Sequence, residues 1–327
     1  MNHDELTSLG IDRRPYHASS RGPFQDIDNV LTFYGGGGRG AVVDDIVRRR
    51  HSSGRTLHVH GESGSGLTFL SLVLGDRLER SCNVIRHDST SGSVAMLLRH
   101  MLIELCPTET GLIDVAAVVD GVDEATLDTA RERVLVQLGH APTADKPYVL
   151  IVDLAGDPDA GFLALLDALG GVRRDGRPAL QVVLFRTVGP AAVREAGTRD
   201  DDGRAVDGSY WLRRLTLAEV GEYLRHRMML FDFSRRELFT REMSYFVADR
   251  TEGVFGAIDT LVRHAFTLAS LEDADAPSLV HLLGAGLPPR IDLPLAPRLL
   301  ARHRRAFVAL LGLGVVGSFA ALVHLMG

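Results

Sequence analysis

Hydrophobic and polar positions between residues 56 and 187 follow two alternating patterns. Short apolar runs, typical of buried strands, alternate with longer stretches in which apolar residues recur every three or four positions, as in helices. The predicted strands cover residues 57–60, 83–86, 148–153 and 180–185. The predicted helices cover residues 66–80, 94–105, 125–138 and 161–169. This alternation predicts an α/β fold whose parallel sheet is covered by helices in three layers.

The pattern becomes purely helical after residue 215. Further helices are predicted over residues 217–229, 235–248, 254–268 and 276–283. Because no strand signal accompanies them, they predict a smaller, all-helical domain after the sheet, which we call the lid. Prolines at positions 288, 289, 294 and 297 exclude a continuous helix beyond the lid and predict a tether.

The predicted organisation has five parts. They are an N-terminal lead-in (1–55), an α/β core (56–215), the helical lid (216–284), a proline-rich and basic linker (285–305) and a transmembrane helix (306–326). Within the lead-in, the glycine-rich run over residues 34–40 is interpreted as a turn before a helix, and an anion site is the alternative.

The transmembrane prediction rests on an uncharged stretch and the arginines before it. Residues 306–326 contain no Asp, Glu, Lys or Arg, and they reach the ~20 residues that a helix needs to cross a bilayer. Arg298, Arg302, Arg304 and Arg305 precede the stretch, and such residues stay on the cytoplasmic side. We therefore expect a membrane anchor with the main domain in the cytoplasm. A buried hydrophobic helix is the alternative.

Composition narrows the partners and the compartment. The formal net charge of −6 gives no general attraction to nucleic acid, so no nucleic-acid partner is expected. Cys82 and Cys106 show neither metal-type spacing nor a disulfide framework and are interpreted as reduced. His58 and His60 share one face of a predicted strand. Without a third ligand in view, we interpret them as packing residues rather than a metal pair.

The segment between the first strand and the following helix matches a phosphate-binding loop, or P-loop. The pattern G-x-x-x-x-G-K-[ST] is met at all positions but one by Gly61, Glu62, Ser63, Gly64, Ser65, Gly66, Leu67 and Thr68. Such a loop cradles phosphate with backbone N–H groups and a helix N-terminus. Its lysine, which neutralises the transferring phosphoryl group, is replaced by Leu67. The sequence thus predicts a phosphate cradle without its cation.

A substitute lysine from elsewhere in the chain is not expected. The chain has a single lysine, Lys146, which lies just before the predicted strand over residues 148–153. That position is the amino end of the strand, whereas phosphate sites in parallel sheets lie at the carboxyl ends. An arginine or a residue from a second subunit is left as the replacement.

A second nucleotide-site signal lies about 85 residues after the loop. Four apolar residues lead to Asp153, as in the Walker B strand, whose carboxylate helps to hold Mg²⁺ in P-loop enzymes. We therefore take Thr68 and Asp153 as candidate Mg²⁺ ligands. The next position, where many ATPases carry a water-polarising glutamate, is Leu154. No residue of the chain is assigned as catalytic.

With these motifs the chain resembles the AAA+ ATPases of the general secretion pathway A (ExeA) type, with relatives in MSHA-pilus biogenesis and in the N-terminal part of DamX. The resemblance covers residues 9 to about 270. Residues 180–185 resemble the fourth core strand with a polar sensor at Thr187, residues 215–227 the start of the lid, and residues 251–259 a later lid segment.

The resemblance implies weakly bound ATP or ADP with Mg²⁺ as the cofactor. The candidate cofactor-binding residues are the eight P-loop residues 61–68 together with Asp153 and Thr187. Three family positions depart from the pattern of an ATP hydrolase. The P-loop lysine is Leu67, the Walker B glutamate is Leu154, and the arginine of the lid falls at Gly256. The resemblance thus predicts a degenerate nucleotide site.

The favoured functional hypothesis is a membrane-anchored AAA+-like scaffold or regulator in cell-envelope, secretion or pilus assembly. An active AAA+ ATPase that powers such assembly is the alternative, and a DNA-associated AAA+ protein is disfavoured by the acidic charge and the anchor. The implied location is the bacterial inner membrane, and the implied partners are an envelope or secretion protein there or a second copy of the chain. Arg213 or Arg214 is a candidate trans-acting arginine finger, although a structural role is favoured.

Overall fold

The central element of the fold is a parallel sheet. The computed structural model describes residue 24 and residues 29–49, 55–89, 92–105, 124–140, 146–197, 208–230 and 238–286. The strands are β1 Leu57–Gly61, β2 Asn83–Ser89, β3 Tyr148–Leu154, β4 Arg173–Arg174, β5 Arg177–Pro178, β6 Leu180–Thr187 and β7 Ser209–Trp211. The sheet has the spatial order β2-β3-β6-β1-β7 with all neighbours parallel, while β4 and β5 form a separate antiparallel hairpin.

Helices cover the sheet and continue after it. Those interleaved with the strands are α1 Arg39–Arg49, α2 Leu67–Glu79, α3 Val94–Leu105, α4 Glu124–His140, α5 Ala160–Gly171 and α6 Pro190–Gly197. Those that form the lid are α7 Leu217–Met229, α8 Arg241–Thr251, α9 Phe255–Leu271 and α10 Leu279–Gly284. The α/β fold with a parallel sheet, predicted from the alternation of patterns, is confirmed.

The sheet buries both of its faces, which explains the unbroken apolar run of β3. Val149 and Ile151 lie in the core that α1 and α2 cover, whereas Leu150, Val152 and Leu154 lie in the core on the side of α3, α4 and α5. A parallel strand that is buried on both sides has no polar face and reads as continuous hydrophobic sequence. The same alternation puts Asp153, the acidic residue of this strand, on the side of α2.

The lid begins with a well-defined start signal. Thr216 and Glu219 form a capping box, in which each side chain accepts from the backbone N–H of the other. Phe24, from the N-terminal part of the chain, packs against Phe239 and Phe266 of the lid with ring centroids 6.2 and 6.0 Å away. The lid therefore has an aromatic core of its own.

The structure differs from the predicted elements in a few places. The edge strand β7 and the short helix α6 were missed because each is too brief to show a period. Helix α8 begins at Arg241 rather than at residue 235, since Thr240 caps it, and residues 231–237 lie outside the described residues. Helix α10 begins at Leu279 rather than at residue 276 because Pro277 and the capping Ser278 precede it.

The predicted membrane location is wrong. Across the residues that the structure describes, which end at residue 286, no helix is both long and apolar enough to cross a membrane. We therefore withdraw the single-pass inner-membrane anchor with a cytoplasmic main domain. The predicted span itself, residues 306–326, and nearly all of the predicted linker lie outside the described residues.

Candidate nucleotide-binding site

The P-loop connects β1 to α2 with the backbone geometry that its glycines permit. Gly64 and Gly66 have φ angles of 79° and 85°, a region that residues with a Cβ rarely adopt. A Cβ placed on Gly66 would meet no atom within 4 Å, so the loop opens onto free space there. Gly66 is also the N-cap of α2 and gives it no side-chain cap. The first N–H groups of the helix are therefore available to an anion.

A buried hydroxyl lies inside the same loop. Ser65 is 4% exposed, and its Oγ has no hydrogen-bond partner in the described part of the chain. The Oγ lies against Gly61, where an added Cβ would be only 2.5 Å from it. A buried donor without a partner is costly. Together with the uncapped helix end, this hydroxyl fits a phosphate oxygen.

The sheet brings the predicted Mg²⁺ ligands together. The Thr68 and Ser71 side chains lie beside the Asp153 carboxylate, and the Ser71 hydroxyl donates to the Thr68 carbonyl over 2.8 Å. Burial raises the pKa of Asp153 above its usual value, and the two hydroxyls partly oppose that shift. Thr187, at the end of β6, pairs in register with Gly61. The described residues contain no cluster of three or more His, Cys, Asp or Glu that would bind a metal ion unaided.

Leu67, which stands at the lysine position, belongs to the hydrophobic core. Its side chain is 6% exposed and joins the cluster that α1 and α2 form with the sheet. A Cβ on Gly61 would lie 3.1 Å from the Leu67 Cγ, so the side chain turns back beneath the loop. Leu154, at the glutamate position, is fully buried in the opposite core. Both departures thus have packing roles.

The lid touches the P-loop directly through its backbone. The Gly256 N–H donates to the Gly64 carbonyl over 2.9 Å. A Cβ on Gly256 would lie 3.2 Å from the Gly64 Cα, closer than a side chain comfortably packs. The position where the resemblance expects an arginine therefore closes on the loop because it carries no side chain.

Arg39 fills the space between the loop and the lid. Its Nη2 and Nε donate to the Ser65 carbonyl over 2.8 and 3.2 Å, and its Nη1 donates to the Arg213 carbonyl over 3.2 Å. The guanidinium also lies 4.3 Å from the ring centre of Phe255 at the start of α9. Burial, and next the charge of Arg213, lower the pKa of Arg39 to about 10. Arg39 thus links the P-loop to the lid chiefly through hydrogen bonds to uncharged backbone carbonyl oxygens.

Arg214 forms ion pairs with one carboxylate of the P-loop and one of the lid. Its Nε and Nη2 donate to the two oxygens of Glu62 over 2.6 and 2.8 Å, and its Nη1 pairs with Glu252 of the lid. The hydrogen bonds to Glu62 raise the pKa of the Arg214 guanidinium. Glu62 is 3% exposed. This second P-loop residue is therefore the buried partner of a fixed arginine.

Arg213 is engaged in the same way at the start of the lid. Its Nη1 and Nη2 each donate to Glu219 over 2.7 Å. These bonds lower the pKa of Glu219 to about 2. The structure thus places both candidate arginine fingers in ion pairs with carboxylates of their own chain.

Two further sequence candidates have no contact with phosphate in view, although His60 directly precedes the P-loop. His60 stacks on Trp211 with ring centres 4.4 Å apart, and burial lowers its pKa to about 4. Lys146 is exposed at the amino end of β3. Arg39 was missed by sequence reasoning, and only its place within the glycine-rich run over residues 34–40 marks it.

Comparisons with known proteins support the fold rather than a particular family. No protein-family description matches the chain, and no curated protein matches it. Among solved structures, it is similar to the Aeropyrum pernix ORC2 protein in ADPNP–ADP complexes, with 13% identity and a TM-score of 0.51 over 84% of this chain and 71% of that one. It is also similar to the A. pernix ORC1 protein in complex with DNA, with 12% identity and a TM-score of 0.51 over 80% of this chain and 67% of that one.

Together, the P-loop on a parallel sheet, the helical lid and these likenesses define the fold. The chain has the general AAA+ fold. At 12–13% identity the likeness concerns the fold alone. It does not extend to the ExeA, pilus or DamX subtype that the sequence resembles.

Proposed function

We propose that this AAA+ module has a degenerate nucleotide site and works as a regulator or scaffold rather than as an ATP hydrolase. The observation that carries the proposal is the burial of Leu67. A leucine packed beneath the loop against Gly61 leaves no cation of the P-loop itself at the phosphates. The accompanying residues Leu154 and Gly256 are likewise committed to packing.

The expected loss of rate is large. One preorganised electrostatic group at a transition state is often worth ~3–4 kcal/mol, a factor of ~10²–10³ in rate. Here the P-loop lysine, the lid arginine and the water-polarising glutamate are all absent from their positions. Hydrolysis should therefore fall to near the uncatalysed level, even if nucleotide binds.

Binding of ATP or ADP does not require the groups that hydrolysis requires, and the backbone of the P-loop supports it. Open space at Gly66, the uncapped N-terminus of α2 and the unpartnered Ser65 Oγ suit a phosphate group. Thr68 and Asp153 would hold Mg²⁺, which neutralises phosphate charge when bound. ADPNP and ADP occupy the ORC2 structure of the same fold. We infer weak nucleotide binding without turnover.

A regulatory or scaffolding role follows from the way in which the lid is held. Gly64, Ser65 and Glu62 all bond residues of the lid or of the segment that leads into it, directly or through Arg39. The chain's own groups thus bridge the two parts where a nucleotide usually does. From the sequence resemblance we propose that the module serves envelope, secretion or pilus assembly, with a protein partner there or a second copy of itself.

The proposal is tested by turnover of the purified full-length chain with Mg²⁺ and ATP, against Thr68→Ala as the control. We expect no difference between the two proteins. Turnover on the order of 1 s⁻¹, within the usual enzyme range, that Thr68→Ala abolishes would establish the alternative of an active ATPase. The position of the Thr68 side chain beside Asp153 is the observation that favours this alternative.

A further inference from the structure

The edge of the sheet opposite the P-loop carries a row of basic side chains. Parallel strands all begin at one edge, and the segments that lead into β2, β3, β6 and β1 are neighbours there in that order. We call the cations of these segments the basic edge. Its members are Arg55, Arg80, Lys146, Arg173, Arg174 and Arg177.

Hydrogen bonds from side chains to backbone carbonyls align these segments. The Gln181 side chain donates to the Arg55 carbonyl over 2.7 Å, which aligns the start of β1 with β6. The Asn83 side chain donates to the Lys146 carbonyl over 3.4 Å and joins the starts of β2 and β3. With strands ~4.8 Å apart, four neighbouring starts give a row about 15 Å long.

The hairpin in this row has a tight turn and places two arginines opposite each other. Its turn residues, Asp175 and Gly176, have φ angles of 51° and 76°, as in the tight two-residue turns that suit hairpins. Arg174 and Arg177 are directly paired across it.

Most of these cations have no acidic partner. Within the described ranges, Arg80, Lys146, Arg173 and Arg177 form no ion pair, and all four are exposed. The acidic residues adjoining the six cations in sequence are Glu79, Asp145 and Asp175, and Asp167 accepts a hydrogen bond from Thr56, next to Arg55. The six cations outnumber these four carboxylates in a chain whose net charge is −6, so the row is suited to an anionic partner.

We propose that the basic edge binds the phosphate backbone of double-stranded DNA without reading its sequence. Protein partners usually bury an apolar centre, but none of the exposed large apolar side chains belongs to the described segments that carry the row. Nucleic-acid interfaces are more polar and more positive, and arginine matches phosphate in a bidentate geometry. One DNA strand presents a phosphate about every 3.4 Å of helix axis, so a row of ~15 Å can face a few of them before the strand turns away.

The site is distinct from the nucleotide site and does not depend on the proposed function. It lies at the other ends of the same strands. It differs from the expectation of no nucleic-acid partner, which used net charge and not its distribution. Binding is expected with or without nucleotide.

Binding of the full-length chain to a labelled duplex of about 25 base pairs, followed by fluorescence anisotropy over a salt series, tests the proposal. The double variant Arg173→Gln/Arg177→Gln should bind about tenfold more weakly, and its slope of log K against log salt should fall by about 2. The matched control is Arg241→Gln/Arg250→Gln, which removes two exposed arginines of α8. It should bind within about twofold of the unmodified chain.

A gain of affinity gives an independent check. Asp175→Asn removes the hairpin's own carboxylate and keeps a residue that tolerates a positive φ. It should tighten binding by about twofold to threefold. Equal losses in the two double variants, or no binding at about 50 mM salt, would overturn the proposal. So would hairpin-dependent binding of polyglutamate or of anionic lipid vesicles that matches the affinity for DNA.

Discussion

The two edges of the sheet use arginine in opposite ways. At the carboxyl edge, Arg213 and Arg214 are held by Glu219 and Glu62, and Arg214 is only 17% exposed. At the amino edge, Arg173 and Arg177 project into solvent without an ion-pair partner in the described residues. An arginine beside a buried carboxylate stabilises the fold, whereas an arginine without one is available to a ligand. The arrangement around each cation, and not its residue type, therefore separates structural charge from binding charge.

The largest expected effect is on the buried pair. Arg214→Ala leaves the 3%-exposed Glu62 without its partner, and breaking a buried ion pair from one side typically costs ~3–5 kcal/mol. Chemical denaturation should show a loss of that size, whereas Arg173→Gln at the other edge should change the free energy of unfolding by less than ~0.5 kcal/mol. If both variants lose equal stability, the distinction between the two edges is wrong.

The next effect concerns the contact between the lid and the loop. Gly256→Arg restores the arginine of the resemblance but puts a Cβ 3.2 Å from the Gly64 Cα. Forcing a side chain into such a contact typically costs ~1–3 kcal/mol, and we expect a loss of about 3. Gly139→Arg is the matched control, because a Cβ at that helical position meets nothing within 4 Å. A gain of stability in Gly256→Arg, measured by denaturation, would show that the close contact between Gly256 and Gly64 does not hold the lid to the loop.

The contribution of the Arg213–Glu219 ion pair to the free energy of unfolding should fall in acid. Hydrogen bonds from Arg213 lower the pKa of Glu219 from 4.5 to about 2, so its contribution is fully present above pH 4.5 and is lost as the pH falls toward 2. The contribution is about 2 kcal/mol, less than the full shift gives, because Arg213 is partly exposed and solvent screens the pair. Unfolding measured between pH 2 and pH 5 should show this dependence in the unmodified chain. In Glu219→Gln the dependence should be reduced by the same amount.

The smallest effect is on nucleotide affinity. Leu67→Lys supplies the missing cation, and we expect it to strengthen binding of Mg·ATP about tenfold, worth ~1.4 kcal/mol. It should not restore turnover, because Leu154 still occupies the glutamate position. Leu67→Met controls for the change in packing, and calorimetry compares the two variants. Equal affinities would mean that the loop does not hold phosphate.

The fold and the loop were accessible from sequence because both depend on local patterns. Alternating periods gave the parallel sheet, and eight consecutive residues gave the P-loop. The bond between Arg214 and Glu62 joins positions 152 residues apart, and no periodicity or motif links them. The burial of Leu67 could not be predicted either. The motif shows that the lysine is replaced, but it does not predict the direction of the leucine side chain.

The basic edge was hidden for a different reason. Its cations are spread between Arg55 and Arg177, and only the strand order brings them side by side. The net charge of −6 sums the whole chain and carries no information about that distribution. A prediction of partners from net charge is therefore weakest in a parallel sheet, where distant segments begin at one edge.

The backbone contact between Gly256 and Gly64 also bears on mechanical work. A ligand can shift a conformational equilibrium only by the difference between its affinities for the two states. Here the closed state is already stabilised by a glycine N–H, a buried arginine and an ion pair, so nucleotide has little further closure to drive. A cycle of binding and release would then move the lid through only a small angle and would transmit little force to a partner. Such a small movement agrees with the proposed role as a regulator or scaffold.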